Sequence, residues 1–160
     1  MITLKKMSAE DFAQFREYGV RSYADDLADR RHIPPAQALS PAAEEFISAL
    51  PCGPDTAECF LCDICNGGEK SGWIWYGYEK TEDGRTQVFL YDLYVFGHRR
   101  RMGVATGALE LMHGEARKRG CAESVLFVSG GNEAARKLYE KCGYRHVRVS
   151  DGGEYMAKLL

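Results

Sequence analysis

Between residues 87 and 120 the hydrophobic rhythm of the chain changes, and it changes across a basic, glycine-containing turn. Residues 87–95 carry the branched and aromatic side chains of a strand. After them, Ala105, Leu109, Met112 and Ala116 fall at i, i+4, i+7 and i+11, one face of a helix that Gly120 ends. Gly97-His98-Arg99-Arg100-Arg101-Met102-Gly103-Val104-Ala105 joins the two. The first amides of a helix have no intrahelical partner, and aligned peptide dipoles add roughly half a positive charge there. A strand that runs through such a turn into a helix is an anion site by construction. Gly103 removes a side chain where a phosphate must approach the backbone, Ala105 permits close packing, and arginine charge does not titrate away. A solvated basic helix end is the plainer alternative. The turn lacks G-x-G-x-x-G, which argues against a dinucleotide site.

The rest of the chain reads as one α/β domain over residues 1–160. A short strand over residues 2–7 precedes Ser8-x-x-Asp11, which resembles a capping box and opens a helix to about Arg30. Pro34 and Pro35 break that helix, and Ser40 followed by Pro41 predicts the start of a second one, to Leu50. Residues 58–65, 72–79 and 87–95 form an antiparallel meander, punctuated by Asn66-Gly67-Gly68 and Asp83-Gly84. Residues 124–128 are a short apolar strand of the kind buried on both faces. Ala135, Leu138, Tyr139 and Cys142 repeat the helical pattern, and Asp151-Gly152-Gly153 joins a closing hairpin.

A net charge of −2 gives no global attraction to nucleic acid or to an anionic membrane. No apolar run approaches the roughly 18–20 residues that span a bilayer, and the N-terminus lacks the apolar stretch of a secretory signal, so a cytoplasmic location is expected. Cys59-x-x-Cys62-x-x-Cys65 has metal-ligand spacing, but strand alternation sends Cys62 to the face opposite Cys59 and Cys65. Buried thiols acting as small hydrophobes, with no metal, are expected instead.

The spacing Arg100-x-x-Gly103-x-Ala105 resembles the pyrophosphate loop of the GNAT superfamily of N-acetyltransferases, R/Q-x-x-G-x-G/A. Leu93-x-Val95 ends the preceding strand as the family's l-x-V does. Asn132-x-x-Ala135-Arg136-x-Leu138-Tyr139-Glu140-Lys141-x-Gly143-Tyr144 is similar to its second signature. Two departures stand out: Arg101 and Met102 occupy positions where Gly-Lys is frequent, and Ala105 replaces the second glycine. The resemblance covers residues 91–144; the front half matches only in general layout.

The resemblance implies a mixed, mostly antiparallel sheet of six to seven strands flanked by about four helices, with an acetyl-CoA-binding core over 87–160 and an acceptor-side half over 1–86. It implies direct transfer of acetyl from acetyl-CoA to a primary amine of a small molecule or a protein. A non-catalytic acyl-CoA-binding regulatory module is the alternative. Main-chain groups of Leu93 and Val95 would hold the pantetheine and acetyl carbonyl where two strands splay. The amides of Arg101, Met102, Gly103, Val104, Ala105 and Thr106 would hold the pyrophosphate, with Arg100, Asn132 and Arg136 as further contacts. Asn132 could equally cap its own helix, and Arg136 could be an exposed helix arginine. Tyr139 would protonate the leaving thiolate, against a reading in which it only packs. Asp92, one residue before the cofactor strand segment, is the candidate base or water-positioning residue for the incoming ammonium, against a reading in which it only pairs with a nearby cation or faces solvent. Asp25, Asp26, Glu44 and Glu45 read as solvated helix faces; a polyamine acceptor would favour an acidic cleft. Homodimers are common among proteins resembling this one.

Overall fold

The computed structural model describes all residues 1–160. Its seven strands are β1 (Ile2–Lys6), β2 (Cys59–Asn66), β3 (Glu69–Lys80), β4 (Thr86–Val95), β5 (Glu123–Ser129), β6 (Arg145–Ser150) and β7 (Gly153–Leu159). Its four helices are α1 (Ala9–Arg31), α2 (Pro35–Ala49), α3 (Val104–Lys118) and α4 (Glu133–Lys141). One sheet of order β1-β2-β3-β4-β5-β7-β6 runs through the molecule. Every neighbouring pair is antiparallel except β4–β5.

Alternation along β2 and β3 divides the core in two. Ile64, Ile74 and Tyr76 face Val104, Ala108, Leu109 and Met112 of α3, while Leu61, Trp73 and Trp75 face Phe15 of α1 and Phe46 of α2. Cys59 packs with the second group and Cys62 with the first, as alternation predicts. No three His, Cys, Asp or Glu side chains gather to hold a metal. No helix is long and apolar enough to cross a membrane.

Ser8 caps α1, its Oγ accepting from the Asp11 amide at 3.1 Å and donating to Asp11 Oδ2 at 2.7 Å. The second helix begins earlier than the Ser40–Pro41 signal predicts. It starts at Pro35, and Pro41 lies inside it. Ala38, Ala42 and Phe46 are buried one turn apart, and packing of that stripe carries the helix through Pro41. The expectation that residues 124–128 are buried on both faces also fails. Ser124, Leu126 and Val128 are buried, but Val125 and Phe127 are only half-buried. The α1–α2 layer packs over Trp73, Trp75 and Tyr94 of β3 and β4, and the face of β5 that carries Val125 contributes nothing to that core.

Candidate active site

The single parallel pair opens part-way along. Residues Gln87–Leu90 pair with Glu123–Leu126, and beyond Leu90 the two strands part while β4 continues to Val95 and β5 to Ser129. The opening has a local cause. Trp75 pairs with Asp92 and Tyr76 with Leu90, so Tyr91 is an extra residue on β4, a bulge at the point of parting. The Phe96 amide donates to Ser71 O on β3, so by alternation the main-chain groups of Leu93 and Val95 point to the opened edge.

A cavity of about 540 Å³ fills the opening. Asp92 and Tyr139 both line it, one from β4 and the other from α4. Asp92 Oδ2 accepts from Trp73 Nε1 at 2.9 Å. Burial raises the Asp92 carboxyl pKa, opposed by the Trp73 indole and the Leu93 amide. Tyr139 is 9% exposed and its hydroxyl has no hydrogen-bond partner within the chain. Burial raises the phenol's pKa first, and the Asp92 charge adds to it. Tyr139 is thus a protonated donor facing open space, next to a carboxylate made more basic than usual.

A second group of unpartnered polar groups lies in the loop into α3. The Arg99 and Arg100 amides bond back to Phe96 O and Gly97 O, and the Gly107 amide begins the helical pattern at Gly103 O. None of the six amides from Arg101 to Thr106 donates a hydrogen bond within the chain. Gly103 has φ 75°, and a Cβ there would meet no atom within 4 Å. The glycine is therefore required by backbone conformation and by nothing packed against it. Arg101 adopts φ 64°, the left-handed region, at the position where glycine is frequent in the resemblance. These residues fit a pyrophosphate: a row of donors, a helix N-terminus and guanidinium charge.

Arg100 Nε donates to Val95 O at 3.0 Å, and the guanidinium lies 5.6 Å from the Tyr94 ring, tying the loop to the end of β4. Asn132 caps α4, its Oδ1 accepting from the Ala135 amide at 3.2 Å, and it also lines the cavity. Arg136 is held by Glu154 at 2.6 Å and Glu140 at 3.3 Å. Of the four acidic residues taken as solvated helix faces, Asp25 and Glu44 are exposed, whereas Asp26 and Glu45 line the cavity. Other lining residues were not singled out in the sequence. Arg30 and Asp151 belong to them, meeting at 2.6 Å across 121 residues. In sequence Arg30 is only a basic residue in a last helical turn, and no local signal marks it.

A statistical model of the acetyltransferase (GNAT) family matches residues 16–144, most of the chain. The chain belongs to the GNAT family. Among curated GNAT relatives, YdgE and YycN of Bacillus subtilis (strain 168), both described as uncharacterized N-acetyltransferases, are 29% identical to it. YdgE aligns over 92% of this chain and 94% of its own length, and YycN over 92% and 95%. The crystal structure of YycN superposes with a TM-score of 0.85, covering 94% of this chain and 96% of that one. The PaiA N-acetyltransferase of Thermoplasma acidophilum, solved in complex with coenzyme A, shares the fold at 16% identity and TM-score 0.72, covering 100% of this chain and 99% of that one. The seven-stranded sheet with four helices is the GNAT fold, and the protein is an acetyltransferase.

Proposed function

We propose that this GNAT protein transfers acetyl from acetyl-CoA directly to a primary amine, with no covalent enzyme intermediate. One observation carries the reading: six partnerless amides at the head of α3 stand beside an opened strand pair whose cavity holds Asp92 and Tyr139. Acetyl-CoA supplies an acetyl group activated as a thioester. The amides of Arg101 to Thr106 hold its pyrophosphate, and the free terminal nitrogens of Arg100 add charge at the same end. Leu93 and Val95 offer main-chain groups to the pantetheine along the opened edge, and a backbone N–H near Leu93 polarises the acetyl carbonyl. Asn132 borders the cavity while capping α4, and Arg136 stays a weaker candidate for the phosphates, given its two carboxylate partners.

An alkyl ammonium cannot attack until it loses a proton. Asp92 accepts that proton, directly or through a water, and its raised pKa makes it the better base. The free amine forms the new C–N bond, the C–S bond breaks, Tyr139 gives its proton to the departing sulfur, and the nitrogen, cationic after attack, sheds its second proton to solvent to leave the neutral amide. Protonation of Asp92 removes a charge that adds to burial in holding the proton on Tyr139, so accepting at one residue eases donation at the other. Return of the Asp92 proton to Tyr139 through solvent restores the site, and one proton is released per turnover.

Residues 87–160 supply the cofactor side in this reading, and residues 1–86 most of the acceptor side. The six cysteines are free thiols, which suits the reducing cytoplasm as the site of action. The test has two arms. Acetyl-CoA is expected to raise the melting temperature, and a panel of amines is expected to drive release of free thiol. Stabilisation without thiol release from any amine would leave a non-catalytic CoA-binding module.

A further inference from the structure

The acceptor end of the cavity has a charge and a shape of its own. Asp26, Glu45, Asp92 and Asp151 line it against a single lining guanidinium, Arg30. Arg30 is spent within the protein: its side chain is 7% exposed, with Nε 2.9 Å from Asp26 and Nη1 2.6 Å from Asp151. Asp26 also accepts from the Ser129 hydroxyl, so both its oxygens are engaged. Glu45 accepts from the Tyr23 hydroxyl, and Arg31 reaches Glu45 at 3.7 Å and Asp151 at 3.5 Å, contacts that leave Glu45 45% exposed. Four carboxylates thus face two guanidinium groups, and the excess is negative. The excess has two poles. Asp92 sits at the inner end with Tyr139, a buried residue whose hydroxyl has no partner within the chain, and Glu45 with Asp151 forms the outer pole, bridged by Arg31. The cavity is otherwise largely aromatic, with Trp75, Tyr91 and Phe127 among its walls and Tyr91 stacked on Trp75 at 4.6 Å.

From these features we infer that the acceptor is a small diamine or polyamine: one amine reacts at Asp92, an apolar spacer packs on the aromatic wall, and a second ammonium sits opposite Glu45 and Asp151. The inference rests on the transfer reading above. A cavity of about 540 Å³ suits a small molecule. Long-range attraction favours a cation, and a carboxylate at the outer pole would meet like charge.

Three probes of equal length separate the charge of the far end from everything else: cadaverine, pentylamine and aminovalerate, whose second ends are positive, neutral and negative. Thiol release is expected to give kcat/KM in that order. Glu45→Gln, a change at a half-exposed position, should lower the ratio of kcat/KM for cadaverine to that for pentylamine roughly fivefold. Equal or faster turnover of aminovalerate, or an equal loss for both amines in Glu45→Gln, overturns the inference. So does thiol release with none of the three in a protein that acetyl-CoA stabilises, and in that case the cofactor site stands. Failure of acetyl-CoA to stabilise the protein would instead remove the transfer reading itself.

Discussion

Asp92 on β4 and Tyr139 on α4 face one cavity, and the carboxylate's charge helps to hold the proton on the phenol. The two side chains are 47 positions apart in a chain whose strands bring them together only at the opened end of the β4–β5 pair. Their coupling yields a kinetic expectation. Tyr139→Phe should lower kcat about a hundredfold with little change in acetyl-CoA affinity, measured by thiol release and by titration calorimetry. An unaltered rate would return Tyr139 to a packing role.

Asp92 should impose an acid limb on the pH profile. A base must be deprotonated to act, so kcat/KM falls as pH drops through the Asp92 pKa, which burial raises above the ordinary carboxylate value. Asp92→Asn should lower the rate and abolish that limb. A mutant that keeps the wild-type limb would assign the proton to another group.

Gly103 tests the loop. Its φ of 75° and the empty space around its Cβ position predict that Gly103→Asn, a residue that tolerates the left-handed region, folds with a loss of only about 1 kcal/mol. Gly103→Glu should fold similarly yet lose acetyl-CoA binding through steric and charge conflict, read as the loss of the ligand-induced shift in Tm. Unchanged affinity in Gly103→Glu would refute the loop assignment.

His113 makes stability depend on pH. Its Nε2 lies 2.8 Å from the Tyr144 hydroxyl, which is 2.7 Å from Ser124 Oγ, and burial lowers its pKa from 6.5 to about 4. Above pH 6.5 the ring is neutral in folded and unfolded chains alike. Between pH 6.5 and about 4 the unfolded chain takes up a proton that the folded one refuses, so stability falls as pH falls. The loss should approach about 3 kcal/mol at the acid end of that window. Urea unfolding across it measures the slope, and His113→Gln should flatten it.

Pro41 interrupts α2 from within, leaving the carbonyl of Gln37 without its helical donor. Pro41→Ala should stabilise the protein by about 1–3 kcal/mol and raise Tm by roughly 2–4 °C for each kcal/mol. Calorimetry that finds no gain would mean that the helix relaxes around the proline at no cost.

Local signals in the chain account for a particular part of this protein. The Ser8 cap, the alternation through Trp73, Ile74, Trp75 and Tyr76, and the helical face of Leu109, Met112 and Ala116 are fixed by neighbours within a few residues, and the fold bears them out. The proposed anion loop is equally local, because a helix start, a left-handed glycine and a row of free amides need only the stretch from Gly97 to Thr106. Where burial by distant partners decides, the sequence misled or was silent. Ser40–Pro41 has the chemistry of a helix start, but the apolar stripe of Ala38, Ala42 and Phe46 outweighs it. Val125 and Phe127 match a strand buried on both faces, but the α1–α2 layer packs elsewhere on the sheet. The proposed acceptor pocket belongs wholly to the tertiary structure. A bulge at Tyr91 opens the strands, α1 and α2 bring Asp26 and Glu45, and the last hairpin returns Asp151 to Arg30. Short-range chemistry specifies how the proposed cofactor end is built, whereas a pocket is a space between elements, and only the packing of those elements sets which charges border it.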